Sequence, residues 1–501
     1  MTRVNTKLAT LFLLLVAAGG ITASSVPGLP QKRRALNQAE SWRKQPPKSV
    51  APSPFALPAM RETRLENGLK IVFIEDHRSP IVTIVVGIPL ALSPSKDIVE
   101  MTSQTALAEA TAELITEGAG SRTSEQVARD VETLGGRLSS TANDDYAEVS
   151  VSVVAENGEQ MMDLLGDVLL RPSFPESEIA LYKRNRIQAV VVERQDPAFL
   201  AGEQFDRIVF GSHPYSISAP TPASINALDR EKLVQFYRSN FRPDGSVAIV
   251  VGDFDARRME AKARDSLSVW KEPAKAPARV RGAVFPNRTT GRVYLIHRPG
   301  SEQADFRIGA LSIKRGHPEY FPLVVANAIL GAGTGSRLFL NIREGKGYAY
   351  DVHSSVSSLS EAGTFYGVAQ TRSEVTALAI KEMLAEFGRL SAVRVGQQEL
   401  QNAKNFLSGF FSLSLSTQGG VAERIMQTYM MNLGGDYLGA FRSRIEAVTA
   451  EQVQEAARKY IASAHPVVVV VGDATKLVRS LRTIGPIEVL DTEGKPVKRH
   501  L

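Results

Sequence analysis

The sequence predicts an α+β fold built twice: two homologous domains in tandem, each with a largely antiparallel sheet flanked by helices, the pair forming a half-shell. Three observations carry that expectation. The chain repeats itself at a shift of 220 residues, so that Glu231 falls on Glu451, Arg238 on Arg458, and Val247, Val250, Val251, Gly252 and Asp253 on Val467, Val470, Val471, Gly472 and Asp473. Both copies read as a polar amphipathic helix running into a short β-branched strand that Gly-Asp stops. A period this long marks whole domains, since solenoid units recur every ~20–50 residues. Long helical patterns also alternate with short strands of period two, the mixture expected of an antiparallel α+β fold. Lastly, Lys271 to Asn287 is rich in Pro, Ala and basic residues and reads as a connector between the copies.

Folded sequence is expected to begin near Arg61. Asn67-Gly68 turns the chain into a strand from Leu69 to Ile74. Ser124 is placed to cap a helix carrying Val127, Val131 and Leu134, which Gly135-Gly136 stops. Tyr146 to Val153 sets Ala147, Val149, Val151 and Val153 on one face against Glu148, Ser150 and Ser152, the pattern of a half-buried antiparallel strand. A long helix follows Pro175, and another, capped by Asp229, leads into the first copy of the repeat. The second half keeps this order, with a strand pair around Val293 and Phe306, a helix from about Pro318 to Leu330, and alternating strands from Tyr350 to Val368. Gly331-Ala-Gly-Thr-Gly-Ser336 lacks the Gly-Lys-Ser/Thr ending of a phosphate loop and reads as a helix-stop turn.

With 501 residues, 43% of them hydrophobic, the chain is long enough for two or more domains that each bury a core. Its formal charge of +6 does not indicate nucleic-acid binding. Residues 1–60 hold Arg3, Lys7, Lys32, Arg33, Arg34, Arg43, Lys44 and Lys48 against Glu40, which leaves the rest near neutral. No basic patch interleaved with aromatics occurs. Arg3 and Lys7 precede an apolar run from Leu8 to Ala18 and then small residues to Ser25, the order of a secretory signal peptide. An uncleaved N-terminal anchor is the alternative. Cysteine is absent, which excludes disulfides, thiolate nucleophiles and Cys-ligated zinc. Export to a bacterial periplasm is the expected location. The expected layout is a signal peptide (1–25), a Pro-rich basic linker (26–60), a first domain (61–270), a connector (271–287), a second domain (288–490) and a tail (491–501).

Near position 340 the chain reads Ser336-Arg337-Leu338-Phe339, then Ile342-Arg343-Glu344, then Gly347-Tyr348-Ala349-Tyr350. Upstream stand Leu65-Glu66-Asn67-Gly68-Leu69, the Leu114 to Arg122 stretch and Gly211-Ser-His-Pro-Tyr215, and each half has its Val-Val-Gly-Asp strand. In this order and spacing the chain, from Arg61 to about Gly485, resembles the pitrilysin/insulinase family of zinc peptidases, in its mitochondrial-processing-peptidase-like branch. Active members carry His-x-x-Glu-His on a helix of the first domain. The two histidines hold zinc, the glutamate is general base, and a downstream glutamate completes the ligands. Aligned through Leu107 and the Glu117-Gly118 turn, Glu109, Ala112 and Glu113 stand at the motif positions, so both imidazoles and the base are replaced. The third ligand falls on Val190 to Glu193, where Glu193 is the only carboxylate.

No metal site is therefore expected in this chain. None of His77, His213, His297, His317, His353, His465 and His500 lies three to five residues from another. Glu109, Glu113 and Glu117 recur at four-residue steps and read as a solvated or cavity-facing acidic stripe on a helix whose Leu107, Leu114 and Ile115 face the core. As an oxygen-ligand patch the stripe would suit hard cations, held loosely.

The resemblance also implies roles for a pair that the chain keeps. Arg343 and Tyr350, seven apart, match an arginine that grips substrate backbone and a tyrosine whose hydroxyl donates to the developing oxyanion. Read apart from the resemblance, Arg343 is a surface ion-pair residue and Tyr350 a packed strand aromatic. The implied function is the non-catalytic, substrate-binding subunit of a heterodimeric exported zinc metallopeptidase acting on peptides. Such a chain is inactive alone and holds no cofactor, the zinc belonging to a homologous partner chain. A structural or peptide-binding scaffold is one alternative, and a self-sufficient hydrolase built on unrecognised residues is another. Neither nucleic acid nor a membrane, beyond a possible N-terminal anchor, is expected as a partner.

Overall fold

The structure is a computed structural model and describes residues 59–271, Phe285 and 291–497. The expected signal peptide, nearly all of the expected linker, most of the expected connector and the end of the tail lie outside the described residues. The first half runs β1 (Arg61–Arg64), β2 (Lys70–Glu75), β3 (Ile81–Pro89), α1 (Ile98–Leu114), α2 (Ser124–Thr133), β4 (Gly136–Ala142), β5 (Tyr146–Val154), α3 (Gly158–Leu170), α4 (Glu176–Glu193), α5 (Pro197–Phe210), α6 (Pro222–Asn226), α7 (Arg230–Asn240), β6 (Val247–Gly252) and α8 (Ala256–Leu267). The second runs β7 (Val293–His297), β8 (Gln303–Ser312), α9 (Tyr320–Gly331), a π-helical turn (Phe339–Gly345), β9 (Ala349–Ser358), β10 (Gly363–Arg372), α10 (Thr376–Ala392), α11 (Gln397–Ser414), α12 (Gln418–Met430), α13 (Tyr437–Glu446), α14 (Ala450–Ala456), β11 (Val467–Gly472), α15 (Ala474–Leu481) and β12 (Ile487–Leu490).

The duplication read from the sequence is present in the topology. Two six-stranded sheets have the orders β1-β2-β6-β3-β5-β4 and β12-β7-β11-β8-β10-β9, so five strand positions correspond one to one. The sixth differs in origin: β1 precedes β2 and pairs with it antiparallel, whereas β12 comes from the C-terminal end and pairs parallel with β7. Equivalence reaches single bonds. The Asp76 amide donates to the Gly252 carbonyl at 2.7 Å, and the Arg298 amide to the Gly472 carbonyl at 2.8 Å. Asp253 and Asp473 therefore follow equivalent strand ends.

The central strands β6 and β11 are buried at every residue, and each is covered on both faces. Ala248 and Val250 of β6 share a core with Ile84, Val86, Val149 and Val151 of their own half. The opposite face, Val247, Ile249 and Val251, belongs to a core that holds Val421, Ala422, Ile425 and Met426 of α12. Reciprocally, Val467, Val469 and Val471 of β11 pack with Leu200, Ala201, Phe205 and Val209 of α5. Each half thus lends one helix to the other's sheet. The other helices stay at home: α1 lies with β4, β5, α4, α6 and α7, and α9 with β9, α10, α11, α13 and α14.

Local expectations hold with shifts of a residue or two. Val131, Ala147, Val149, Val151 and Val153 are buried, and Asp229 caps α7 through its side chain to the Lys232 amide. The cap of α2 is Thr123 and not Ser124. Thr123 accepts from the Gln126 amide while Gln126 reciprocates, a capping box, and the Ser124 hydroxyl instead donates to Glu117. The acidic stripe is shorter than expected, because α1 ends at Leu114 and Glu117 lies in the turn that follows. Gly118 and Gly120, at φ +114° and +62°, take the chain through left-handed conformations there and end the helical periodicity. Gly136 opens β4, a strand the sequence reading did not anticipate.

Candidate functional site

The three motif positions on α1 face three environments. Ala112 is fully buried in the first-half core, Glu113 is exposed, and Glu109 is half-buried and turned toward α4. Two helical turns separate Arg186 from Glu193 on α4, which puts both on one face. The Arg186 guanidinium donates from Nε to Glu109 Oε2 at 3.0 Å and from Nη1 to Glu193 Oε1 at 2.7 Å. One cation thus holds the residue at the first motif position and the residue at the downstream-ligand position. Burial raises the Glu109 pKa, and Arg186 only partly offsets it. Burial also works against the charge of Arg186, but Glu109 and Glu193 outweigh it and hold its pKa above the usual value. Sequence reasoning missed Arg186. Its signal was the seven-residue spacing to Glu193 on a helix expected to face Glu109.

Behind this site the β4–β5 turn meets the second half. Asp145 accepts from the Tyr215 hydroxyl and, at 3.0 Å, from the Ser360 amide in the β9–β10 turn. Tyr215 follows the buried His213, whose Nδ1 accepts from the Tyr215 amide at 3.2 Å. Burial alone pushes the His213 imidazole down to about 4, which keeps it a neutral acceptor. The Gly211 to Tyr215 segment is therefore a packed joint between halves. Asp144 reaches solvent, yet the surrounding protein and the neighbouring Asp145, Asp206 and Glu109 raise its pKa.

Arg343 and Tyr350 do come together. The Arg343 guanidinium lies 4.9 Å from the Tyr350 ring centroid and 4.6 Å from that of Phe339, with Nε 3.7 Å from Glu344 Oε1. Tyr350 is the second residue of the edge strand β9 and is 82% exposed, so it is not a packed strand aromatic. The turn that presents the pair is pinned from behind. Ile342 is buried in the core, Arg337 makes a bidentate pair with Glu399 at 2.7 and 2.8 Å, and Asn341 Nδ2 donates to Glu382 at 3.1 Å and Glu386 at 2.7 Å. Gly347, at φ +62°, reverses the chain from the turn into β9. The turn is thus held from behind, with Arg343 half-buried and Tyr350 exposed at its outer side.

Residues 106–203 match the family model for insulinase (peptidase family M16), and residues 227–407 match that for the peptidase M16 inactive domain. The chain belongs to the M16 family, the pitrilysin/insulinase peptidases. This M16 chain is 22% identical over 400 residues to "uncharacterized zinc protease YmxG" of Bacillus subtilis (strain 168), covering 79% of this chain and 94% of that protein. It is 25% identical over 412 residues to "uncharacterized zinc protease ML0855" of Mycobacterium leprae, covering 80% and 88%. Its fold is similar to the crystal structure of a peptidase M16 inactive domain from Pseudomonas fluorescens, with TM-score 0.75 and 24% identity over 83% of this chain and 98% of that one. A protease from Helicobacter pylori also has TM-score 0.75, at 17% identity over 83% and 100%.

For an M16 chain the residues at the zinc positions are decisive. Catalytic zinc takes imidazole ligands beside a carboxylate and needs a base for its water. Here the motif offers two carboxylates and a methyl group, and the carboxylate at the first position is bound to a guanidinium. These residues do not fit zinc, and no catalytic step is drawn through it. Among the described residues, no group of three or more His, Cys, Asp or Glu side chains is arranged to hold a metal ion. The chain is a non-catalytic, peptidase-like member of its family.

Proposed function

We propose that this M16 chain is the substrate-binding subunit of a heterodimeric, exported zinc metallopeptidase acting on peptides, and that Arg343 and Tyr350 complement a zinc site on a homologous partner chain. The exposure of Tyr350 beside Arg343 carries the reading. Full burial of a large apolar side chain is worth roughly 1.5–3 kcal/mol, and β9 leaves that gain untaken for Tyr350 while its neighbours pin the turn in place. In the assembled enzyme, the Arg343 guanidinium donates to a peptide carbonyl. The Tyr350 hydroxyl would donate to the oxyanion that develops on the scissile peptide carbonyl, the activated water being what a zinc site on the partner would supply. Export is supported by the order of Arg3 and Lys7, the Leu8 to Ala18 run and the small residues that follow. Among the described residues no helix is long and apolar enough to cross a membrane.

Reconstitution with an exported homologue that carries His-x-x-Glu-His tests this. The chain alone should cleave no peptide and retain no stoichiometric zinc after dialysis, and the pair should cleave. Tyr350→Phe keeps the ring and removes one donor, so kcat of the pair should fall by on the order of a hundredfold, with assembly and zinc content unchanged. Undiminished turnover in that variant would leave Tyr350 without a catalytic role and favour a scaffold.

A further inference from the structure

Between β8 and α9 the chain buries a cation that no carboxylate pairs with. The Arg315 amide donates to the Leu359 carbonyl at 3.1 Å, which fixes the backbone there. Its guanidinium donates from Nη1 to the Tyr320 hydroxyl and lies 4.3 Å from the Tyr320 ring centroid and 5.8 Å from that of Tyr437. The buried Nε meets no hydrogen-bond acceptor. Two further guanidinium groups lie close by. Arg444 stands 5.7 Å from the ring centroids of both Phe321 and Tyr437. Arg424, whose Nε donates to the Ser414 hydroxyl at 3.1 Å, adds its field at Arg315 and at the Tyr437 hydroxyl. Among the described residues these three arginines make one ion pair, Arg444 with Asp436 at 2.7 Å, and the Asp436 side chain is 72% exposed. Burial accordingly holds the Arg315 pKa below the usual guanidinium value.

We propose that the cavity lined by Arg315 and Arg444 binds a small carboxylate with an apolar body, of about the size of one or two amino-acid residues, its charged end paired with the two guanidinium groups. The cavity lies where the start of α9 meets α13, and its volume is about 390 Å³, at the small end for ligand sites. Phe321, Leu433, Tyr437 and Val448 line it beside the two arginines. It opens to solvent at Gly316, Pro318 and Gln452, all exposed. A charge held away from water without a counter-ion is costly to the fold, and an arriving anion recovers that cost as binding free energy. The lining decides the class of anion. Phosphate needs donors around all its oxygens, whereas a monocarboxylate needs cations on one side and leaves its body to the aromatic and aliphatic wall. The cavity involves neither Arg343 nor Tyr350, so it stands or falls separately from the proposed function.

Calorimetric titration of the purified chain with N-acetylphenylalanine tests the proposal. Wild type should bind it with a Kd on the order of 10⁻³ M. N-acetylphenylalaninamide, which keeps the body and lacks the charge, should bind at least about tenfold more weakly, and so should inorganic phosphate. Arg315→Met should abolish binding, and Arg444→Ala should weaken it by about tenfold. Should Arg315→Met not fold, Arg444→Ala and the comparison of acid with amide decide the matter by themselves. No binding to wild type, amide or phosphate bound as tightly as the acid, or undiminished binding in either variant would each overturn the proposal.

Discussion

Arg343 and Tyr350 sit side by side but should fail differently when changed. A guanidinium that grips substrate backbone holds it in ground state and transition state alike, so Arg343→Ala in the assembled enzyme should act chiefly through KM, with kcat reduced far less than in Tyr350→Phe. Steady-state kinetics of the two variants side by side check this. Two other side chains set opposite pH trends. Burial raises the Asp206 carboxyl from 3.8 to about 6, against Arg307 and the Ser218 hydroxyl. Its folded pKa is above the unfolded one, so its stabilisation is complete below 3.8 and is lost as pH rises through about 6. His213 is depressed from 6.5 to about 4, so its stabilisation is present above 6.5 and is lost as pH falls through about 4. Relative to wild type, Asp206→Asn should gain stability at neutral pH over acid pH. His213→Asn, which keeps an acceptor for the Tyr215 amide, should show a smaller loss of stability on acidification. Urea unfolding across that window reads both slopes.

At the scale of elements, the repeat supplies its own controls. Gly87 in β3 pairs with Val247, and Gly309 in β8 pairs with Val467, so the two glycines occupy equivalent places. Their surroundings differ. A Cβ at Gly87 would stand 2.2 Å from the Met426 sulfur of α12, the flexible end of a long side chain, whereas one at Gly309 would stand 2.0 Å from the Phe365 carbonyl and 2.8 Å from the Tyr366 Cα. Methionine can move aside and a paired strand cannot, so Gly87→Ala should cost about 1–3 kcal/mol and Gly309→Ala more. Denaturant midpoints of the two variants decide the order. The elements themselves were largely legible. Alternating Val and Ser from Tyr146 onward and Asp229 before a helix are local signals that packing had no cause to override. Thr123 took the cap from Ser124 because it is the residue three positions before Gln126, the spacing a capping box needs. The turn at Gly118 removed Glu117 from the stripe for an equally local reason, the left-handed backbone that glycine permits.

At the scale of the molecule, the exchange of α5 and α12 makes each half incomplete. Residues 61–270 alone would leave the face of β6 bearing Val247, Ile249 and Val251 without α12, and residues 288–490 alone would leave Val467, Val469 and Val471 without α5. The two halves expressed separately should therefore aggregate or remain poorly folded, and should form a soluble complex when co-expressed as unlinked chains. Gel filtration and circular dichroism of each half and of the pair test this; two monomeric, cooperatively folding halves would refute it.

The duplication, the strand ends at Gly252 and Gly472, the Asp229 cap and the loss of the zinc motif were set by sequence alone. They rest on period, turn chemistry and residue type, which are local properties of the chain. Tertiary structure alone decided which sheet each helix covers. An apolar helix face fits either sheet, and the choice follows from non-local packing over whole cores. It also decided that Arg186 meets Glu109 from 77 residues away and that Asp145 ties to Ser360 across 215, distances at which no sequence period survives. The exposure of Tyr350 belongs here as well. A tyrosine at the start of a strand reads the same whether buried or not, and only the pinned turn on an edge strand leaves it facing water.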